Sequence, residues 1–147
     1  MLRIQLDVRR ALDLDALERG QTIFTHRCFA RLRFQRATGW SEERLAILDT
    51  GAPFSVIPAT VWAPLRVTRL FPAPLRGLIP KASATVPAQL ARVSAVLTDE
   101  ERVSPPLELT AMLVEEPDVP LILGWEGCLD QTKLFLDSAH NLAWLEF

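Results

Sequence analysis

The sequence predicts a mainly β domain that closes on itself like a barrel and carries one or two short helices. Alternating apolar and polar residues recur in short stretches, such as residues 2–8 and 107–114, and a period of two is the strand period. Eleven prolines and six glycines separate these stretches, which keeps each predicted strand short. Many short strands within one chain favour a closed β architecture.

Composition predicts one independent domain with a sizeable core. The chain has 147 residues, 49% of them hydrophobic, with seven Phe and four Trp, and this length is typical of one domain. The net charge is −2 and the basic residues are scattered, so we expect no nucleic-acid partner. No run approaches the roughly 18 apolar residues of a membrane span, and the N-terminus lacks a signal peptide's apolar centre. We therefore expect a cytoplasmic chain without a membrane partner.

The first 20 residues are predicted to form an appendage to a main domain of residues 21–147. Residues 2–8 alternate as a strand, and residues 13–19 have helical spacing, with Leu14 and Leu17 on one side and Gly20 as the stop. This appendage either packs onto the main domain or forms part of a dimer contact.

The next segments predict a hairpin that leads into residue 49. Residues 23–34 alternate as a half-solvated strand, residues 37–43 form a turn, and residues 43–48 form the returning strand. On the first strand one face is apolar, and the other carries three arginines: Arg27, Arg31 and Arg33.

The rest of the chain predicts further strands and two short helices. Pro58 is expected to begin one helix, and residues 125–129 to form the other. The predicted strands are residues 83–97, 107–114 and 121–123, followed by a final hairpin of residues 134–136 and 142–147. Trp40, Trp62, Trp125 and Trp144 are interpreted as core or interface groups.

Residues 45–58, L-A-I-L-D-T-G-A-P-F-S-V-I-P, carry the strongest functional signal. Two apolar runs, each typical of a buried strand, bracket a turn that holds one carboxylate, Asp49. A buried aspartate is costly without hydrogen bonds or a partner, so its presence points to chemistry. The alternative is an ordinary hairpin turn, since Asp and Gly are common turn residues.

This stretch resembles the active-site loop of the retropepsin-like aspartic proteases, which read Asp-Thr-Gly-Ala followed by a hydroxyl residue, here Ser55. A second segment strengthens the resemblance: Leu121-Ile122-Leu123-Gly124, followed by Trp125 to Leu129, resembles the paired apolar strand, Gly and short helix of that family. The resemblance extends over residues 28–146. It implies a closed acid-protease barrel, peptide or protein substrates, and no cofactor or metal.

The resemblance implies hydrolysis by two carboxylates that share one proton, one acting as base and the other as acid. The chain has one Asp-Thr-Gly, and Asp130 and Asp137 lack that context. The second carboxylate must then be Asp49 of a twofold-related copy, which predicts a homodimer.

The resemblance also assigns supporting roles around Asp49. Thr50 is expected to cross-link the two loops, Gly51 to give room and an N–H for the carboxylate, and Ala52 to complete the loop. Ser55 is expected to donate to the outer carboxylate oxygen or to loop backbone, and the alternative is an ordinary strand-end hydroxyl bonded to backbone. Leu123 and Gly124 form the second motif.

Two departures from the family pattern bear on function. Retroviral members pair an Asp after Asp-Thr-Gly-Ala with an Arg after the second Gly, whereas this chain has Pro53 and Trp125. Family flaps, the hairpins that close over substrate, are glycine-rich at the tip. The corresponding flap here is Gly77, Leu78, Ile79 and Pro80.

Two functions from different classes follow. The first is an aspartic endopeptidase that is active as a homodimer, which the intact Asp49-Thr50-Gly51 favours. The alternative is a non-catalytic module that keeps the fold for dimerisation or peptide binding, which the two departures favour.

The remaining polar candidates are interpreted structurally. His26 and Cys28 have a spacing that can hold a metal, but two ligands do not make a site, so His26 is predicted to be a core histidine. Cys28 and Cys128 are either two reduced thiols or one bridge, and a cytosolic chain favours thiols. Glu126 is assigned to structure and His140 to a solvated turn.

Overall fold

The computed structural model describes residues 1–76 and 85–147, apart from the side chains of Arg76 and Thr85. In this part of the chain the fold is mainly β, with two short α-helices, so the mainly β prediction is confirmed. The helices are α1 (Leu14–Glu18) and α2 (Ala59–Trp62). None of the described helices is long and apolar enough to cross a membrane.

The described residues contain thirteen strands. They are β1 (Arg3–Gln5), β2 (Asp7–Leu12), β3 (Phe24–Phe34), β4 (Arg44–Leu48), β5 (Ser55–Pro58), β6 (Val67–Pro72), β7 (Leu75–Arg76), β8 (Thr85–Val86), β9 (Ala88–Thr98), β10 (Leu107–Val114), β11 (Ile122–Leu123), β12 (Lys133–Asp137) and β13 (Leu142–Glu146).

Most strands belong to one eight-stranded sheet, in the order β2-β3-β4-β11-β5-β10-β9-β6. β9 also pairs with β3, so the pairings run in a ring from β3 through β4, β11, β5, β10 and β9. A second sheet has the order β1-β13-β12, and β7 pairs with β8. Closure of this ring into a barrel stays a prediction.

The predicted hairpin of β3 and β4 is confirmed, with antiparallel pairing from Phe29↔Ile47 to Leu32↔Arg44. The alternating pattern of β3 buries one face of the strand, as predicted, because Ala30, Leu32 and Phe34 are all 0% exposed. The final hairpin, β12 with β13, is also confirmed. The apolar faces of these hairpins pack together with β9 and β10 in the main core.

The N-terminal segment is tied into both sheets. β1 pairs with β13 and β2 with β3, and Ile4 and Leu6 belong to the main core. The predicted helix is present as α1, capped by the Asp13 side chain, which accepts from the Ala16 N–H at 2.9 Å. Residues 1–20 therefore pack onto the rest of the chain, while a domain boundary at residue 20 stays a prediction.

The predicted helix over residues 125–129 is wrong. Residues 125–128 form consecutive turns, and a 3₁₀ turn at Leu129–Gln131 follows them. Gly127 has φ +81°, a left-handed conformation that ends helical geometry. A Cβ at this position would clash with the carbonyl oxygen of Glu108, so the segment turns against β10 instead of continuing as a helix.

The interpretation of His26 as a core residue is also wrong. Its side chain is exposed on β3, directly across from Arg10 of β2, because the apolar face of β3 is covered only towards its C-terminal end. Cys28 and Cys128 are free thiols. Burial, with a smaller effect of the Asp130 carboxylate, raises the pKa of the Cys128 thiol to about 12, so this thiol stays protonated.

Candidate functional site

The candidate site lies where three strands of the large sheet meet. β4 ends at Leu48 and β5 begins at Ser55, and β11 lies between them, parallel to β4 and antiparallel to β5. The N–H of Asp49 donates to the carbonyl oxygen of Leu123 at 3.0 Å. β11 therefore fixes the point at which the chain enters residues 49–54, which we call the Asp49 loop.

Asp49 is half-buried at the start of this loop. The N–H of Gly51 donates to Asp49 Oδ1 at 2.8 Å, which is the contact expected from the sequence. Within residues 1–76 and 85–147 this N–H is the one hydrogen-bond donor to the carboxylate. Since a carboxylate can accept about four hydrogen bonds, most of its capacity is left for water, substrate or another carboxyl group.

Ser55 joins the two sequence motifs from within the core. Its side chain is 0% exposed, and its Oγ accepts a hydrogen bond from the Gly124 N–H at 3.1 Å. Of the two alternatives predicted for Ser55, the described structure shows the contact with backbone. The hydroxyl thereby satisfies a buried N–H that the short strand β11 leaves unpaired.

Gly124 is required by the close approach of the Asp49 loop. A Cβ at this position would lie 2.5 Å from the carbonyl oxygen of Ala52 and 2.6 Å from that of Phe54. Both neighbours are backbone atoms, which cannot move aside without displacing the loop. Glycine at the end of β11 therefore sets the height of the loop above the sheet.

The two residues that follow Gly124 hold the carbonyl groups of the loop. The backbone N–H of Trp125 donates to Ala52 and that of Glu126 donates to Pro53, both at 3.0 Å. The indole Nε1 of Trp125 donates to the carbonyl oxygen of Thr50 at 2.6 Å. Three loop carbonyls are thus fixed by one turn of a segment that is distant in sequence.

A groove of about 530 Å³ opens beside Asp49. Asp49 is the one ionisable residue among the described residues that line it, and the walls come from β5, β6, β7, β9, β10, β11, residues 73–74 and the loop itself. The other lining residues are Gly51, Ala52, Pro53, Phe54, Val56, Phe71, Ala73, Pro74, Leu75, Leu90, Met112 and Ile122.

The structure brings together most of the residues that the sequence indicated. Asp49, Gly51 and Ala52 line the groove, while Ser55, Leu123 and Gly124 hold the loop from beneath. Thr50 is exposed on the outer surface of the loop, and its predicted cross-link to a second loop stays a prediction. The predicted flap, residues 77–80, lies outside the described residues.

Sequence reasoning missed the groove walls and the role of one tryptophan. Phe71, Leu90 and Met112 are far apart in the chain and gave no motif. Trp125 was assigned to the core or an interface, yet its indole N–H bonds the loop, and the side chain stays 45% exposed. The sequence did offer one signal for this role: the residue directly after Gly124 is a tryptophan, where retroviral proteases have an arginine.

The arrangement supplies one carboxylate per chain at the edge of an apolar groove. Peptide hydrolysis needs a base and an acid together, and within residues 1–76 and 85–147 no second carboxylate lines this groove. Asp130 accepts from the Gly127 N–H at 2.9 Å, and Asp137 bonds His140 at 2.8 Å. Chemistry that needs two carboxylates in this groove would therefore require one from another molecule.

Comparison with known protein families finds no family that matches this chain. Comparison with curated proteins likewise finds no match. A functional proposal consequently depends on the geometry of the Asp49 loop and its groove.

Proposed function

We propose that this chain is a retropepsin-like aspartic endopeptidase that acts as a homodimer. The supporting observation is the setting of Asp49, a half-buried carboxylate with one described hydrogen-bond donor at the edge of an apolar groove. In this proposal the ring of paired strands within each chain would be the closed barrel that the resemblance implies.

The proposed reaction uses two Asp49 carboxyl groups that share one proton. Two like charges about 3 Å apart cannot both ionise, so one group is a carboxylate and the other a carboxylic acid. The carboxylate removes a proton from water, whose oxygen bonds to the peptide carbon, while the acid protonates the carbonyl oxygen. The group that took the proton from water then gives it to the nitrogen as the C–N bond breaks. A hydroxyl of the tetrahedral diol loses its proton to the other carboxylate and becomes the carbonyl of the new carboxyl product, so the two Asp49 groups again share one proton.

The exposed surface of the loop supports the approach of a second copy. The residues around Asp49 that are exposed are Thr50, Gly51 and Pro53. A second copy related by a twofold axis could therefore pack against the loop without moving core residues. In an isologous dimer the same residues of each copy meet at the axis. The groove on each side of that axis would hold apolar side chains of an extended peptide.

A peptide library tests this proposal directly. Wild type, Asp49→Asn and the control Asp118→Asn, which alters an exposed loop carboxylate, are incubated at high concentration from about pH 4 to 7. We expect wild type and the control to cut the same peptides, and Asp49→Asn to be at least ~10³-fold slower.

Equal cutting by wild type and Asp49→Asn, or no cutting by either, would contradict the proposal. So would a native mass of one chain at high concentration, because a monomer has one Asp49. The groove would then favour the alternative of a peptide-binding module, and a monomer would also exclude dimerisation.

A further inference from the structure

We infer that Trp125 is a positioning residue of the Asp49 loop and that a second copy of the chain buries its exposed face. The inference rests on the proposed function, since it names the surface through which the two Asp49 loops meet. The partner is the same surface of another copy, formed by Thr50, Pro53 and Trp125.

The first observation is that Trp125 holds the loop from two sides of Gly51. Its indole Nε1 donates to the Thr50 carbonyl at 2.6 Å, and its backbone N–H donates to the Ala52 carbonyl at 3.0 Å. The first bond fixes the Thr50–Gly51 peptide unit, whose N–H bonds the Asp49 carboxylate, and the second fixes the Ala52–Pro53 unit that follows in the loop. A change at Trp125 therefore reaches the carboxylate through the backbone.

The second observation is that this ordered tryptophan is 45% exposed. A hydrogen-bonded indole has little freedom left to lose on association, and large aromatic groups of this kind dominate the energy of protein interfaces. Its neighbours on the surface, Thr50 and Pro53, are also exposed and carry no charge. These three uncharged residues form a small surface that suits contact with an identical surface, and the exposed, charged Glu126, whose N–H bonds the Pro53 carbonyl, adjoins it.

The third observation is the position of this surface. Thr50 is the residue directly after Asp49, and consecutive Cα atoms lie about 3.8 Å apart. An axis that brings two Asp49 carboxylates together must therefore also bring Thr50, and the indole bonded to it, near the other copy. Trp125 therefore offers an apolar contact at the position where retroviral members of the family have an arginine.

Sedimentation equilibrium of the full chain, over a wide dilution series, tests the interface. We expect Trp125→Ala to raise the dimer dissociation constant about 100-fold. Trp125→Phe keeps an apolar ring, so its dissociation constant should stay within about fivefold of wild type. The matched control is Trp40→Ala, which removes a tryptophan of similar exposure, 42%, at the opposite end of β4, and should leave the dimer unchanged.

Kinetics and fluorescence test the positioning role separately. Trp125→Phe lacks the N–H that holds Thr50, so its kcat for peptide cleavage should fall about tenfold with KM within about twofold. Subtracting the emission spectrum of Trp125→Phe from that of wild type leaves the emission of Trp125. This difference spectrum should shift to shorter wavelength as the protein is concentrated, because the dimer buries the indole. Thermal melts of each variant establish that it is folded.

The outcomes separate this inference from the proposed function. A folded Trp125→Ala that dimerises as tightly as wild type would overturn the interface, even if wild type cleaves peptides in an Asp49-dependent way. If wild type dimerises through Trp125 but cuts nothing, the interface stands and the protease proposal fails. Full kcat in Trp125→Phe would overturn the positioning role, and a wild type that is always monomeric would overturn the whole inference.

Discussion

Asp49 and Asp99 each follow the last residue of a strand, but the protein uses the two carboxylates differently. Asp99 accepts three backbone hydrogen bonds, from Gln5 at 3.0 Å, Glu101 at 2.9 Å and Arg102 at 2.8 Å. Asp49 accepts one from its own loop in the described residues. The first carboxylate is largely satisfied by the fold, and the second is left with capacity for chemistry.

The surroundings of the Asp99 and Asp49 carboxyl groups also differ in polarity. Burial raises the pKa of the Asp99 carboxyl group, but the three backbone N–H groups outweigh it and hold the pKa below its ordinary value. Asp99 lies in a polar pocket with Arg31 and Arg102, whereas Asp49 faces an apolar groove. The fold thus holds Asp99 as a structural anchor and leaves the Asp49 carboxylate with fewer donors beside an apolar groove.

The largest expected effect on stability comes from Gly124, which supports the Asp49 loop and does not line the pocket around Asp99. Gly124→Ala should lower the free energy of unfolding by about 3 kcal/mol or more, because its Cβ would meet two backbone oxygens. The melting temperature should fall by roughly 6–12 °C. Gly51→Ala is the control, since its Cβ would meet only the Asp49 side chain, at 3.2 Å, and a thermal melt of both variants makes the comparison.

An intermediate effect is expected at Ser55. Ser55→Ala leaves the buried Gly124 N–H without its acceptor and should lower the free energy of unfolding by about 1–3 kcal/mol. Ser41→Ala is matched to it, because Ser41 is also buried and accepts the Phe34 N–H at 3.0 Å.

Both serine variants should be destabilised in urea unfolding, but only Ser55→Ala should lose peptide cleavage when assayed well below its melting temperature. Equal loss of activity in the Ser41 variant would show that general destabilisation, and not the support of Asp49, causes it.

The smallest expected effect tests Asp99 as the anchor. Asp99→Asn removes a charge that three N–H groups stabilise, so it should lower the free energy of unfolding by about 1 kcal/mol at pH 7. The folded pKa lies below the ordinary value of 3.8. The wild-type advantage is therefore fully present above that value and disappears as the pH falls through the folded pKa.

Urea unfolding of Asp99→Asn at several pH values measures this advantage. Asp49→Asn, measured in parallel at pH 7, should differ from wild type by less than about 0.5 kcal/mol. A loss at Asp49 of the size seen at Asp99 would remove the distinction between the two carboxylates.

Local patterns in the sequence predicted the parts of the fold that depend on neighbouring residues. The alternation of Ala30, Leu32 and Phe34 placed one face of β3 in the core, and the turn before β4 made the hairpin predictable. The Asp49 loop was also predictable, because an apolar run on each side left it few alternatives to a turn. These features depend on a period of two and on turn chemistry, which are both local.

The parts that could not be predicted depend on contacts between distant segments. β11 is only two residues long, and its place comes from Ile122 pairing with both Ile47 and Val56. The helix predicted after it fails because Gly127 adopts a positive φ against β10, which no local pattern indicates. The indole contact of Trp125 with Thr50 likewise joins residues 75 apart in sequence.

The position of β11 between β4 and β5 also determines when the Asp49 loop can form during synthesis. Its supporting contacts come from residues 121–126, and at ~5–20 residues per second these are made roughly 4–15 s after residue 49. During that interval a nascent chain contains the complete Asp-Thr-Gly sequence without the strand that holds it. The segment that holds the Asp49 loop in place is therefore translated well after the loop itself.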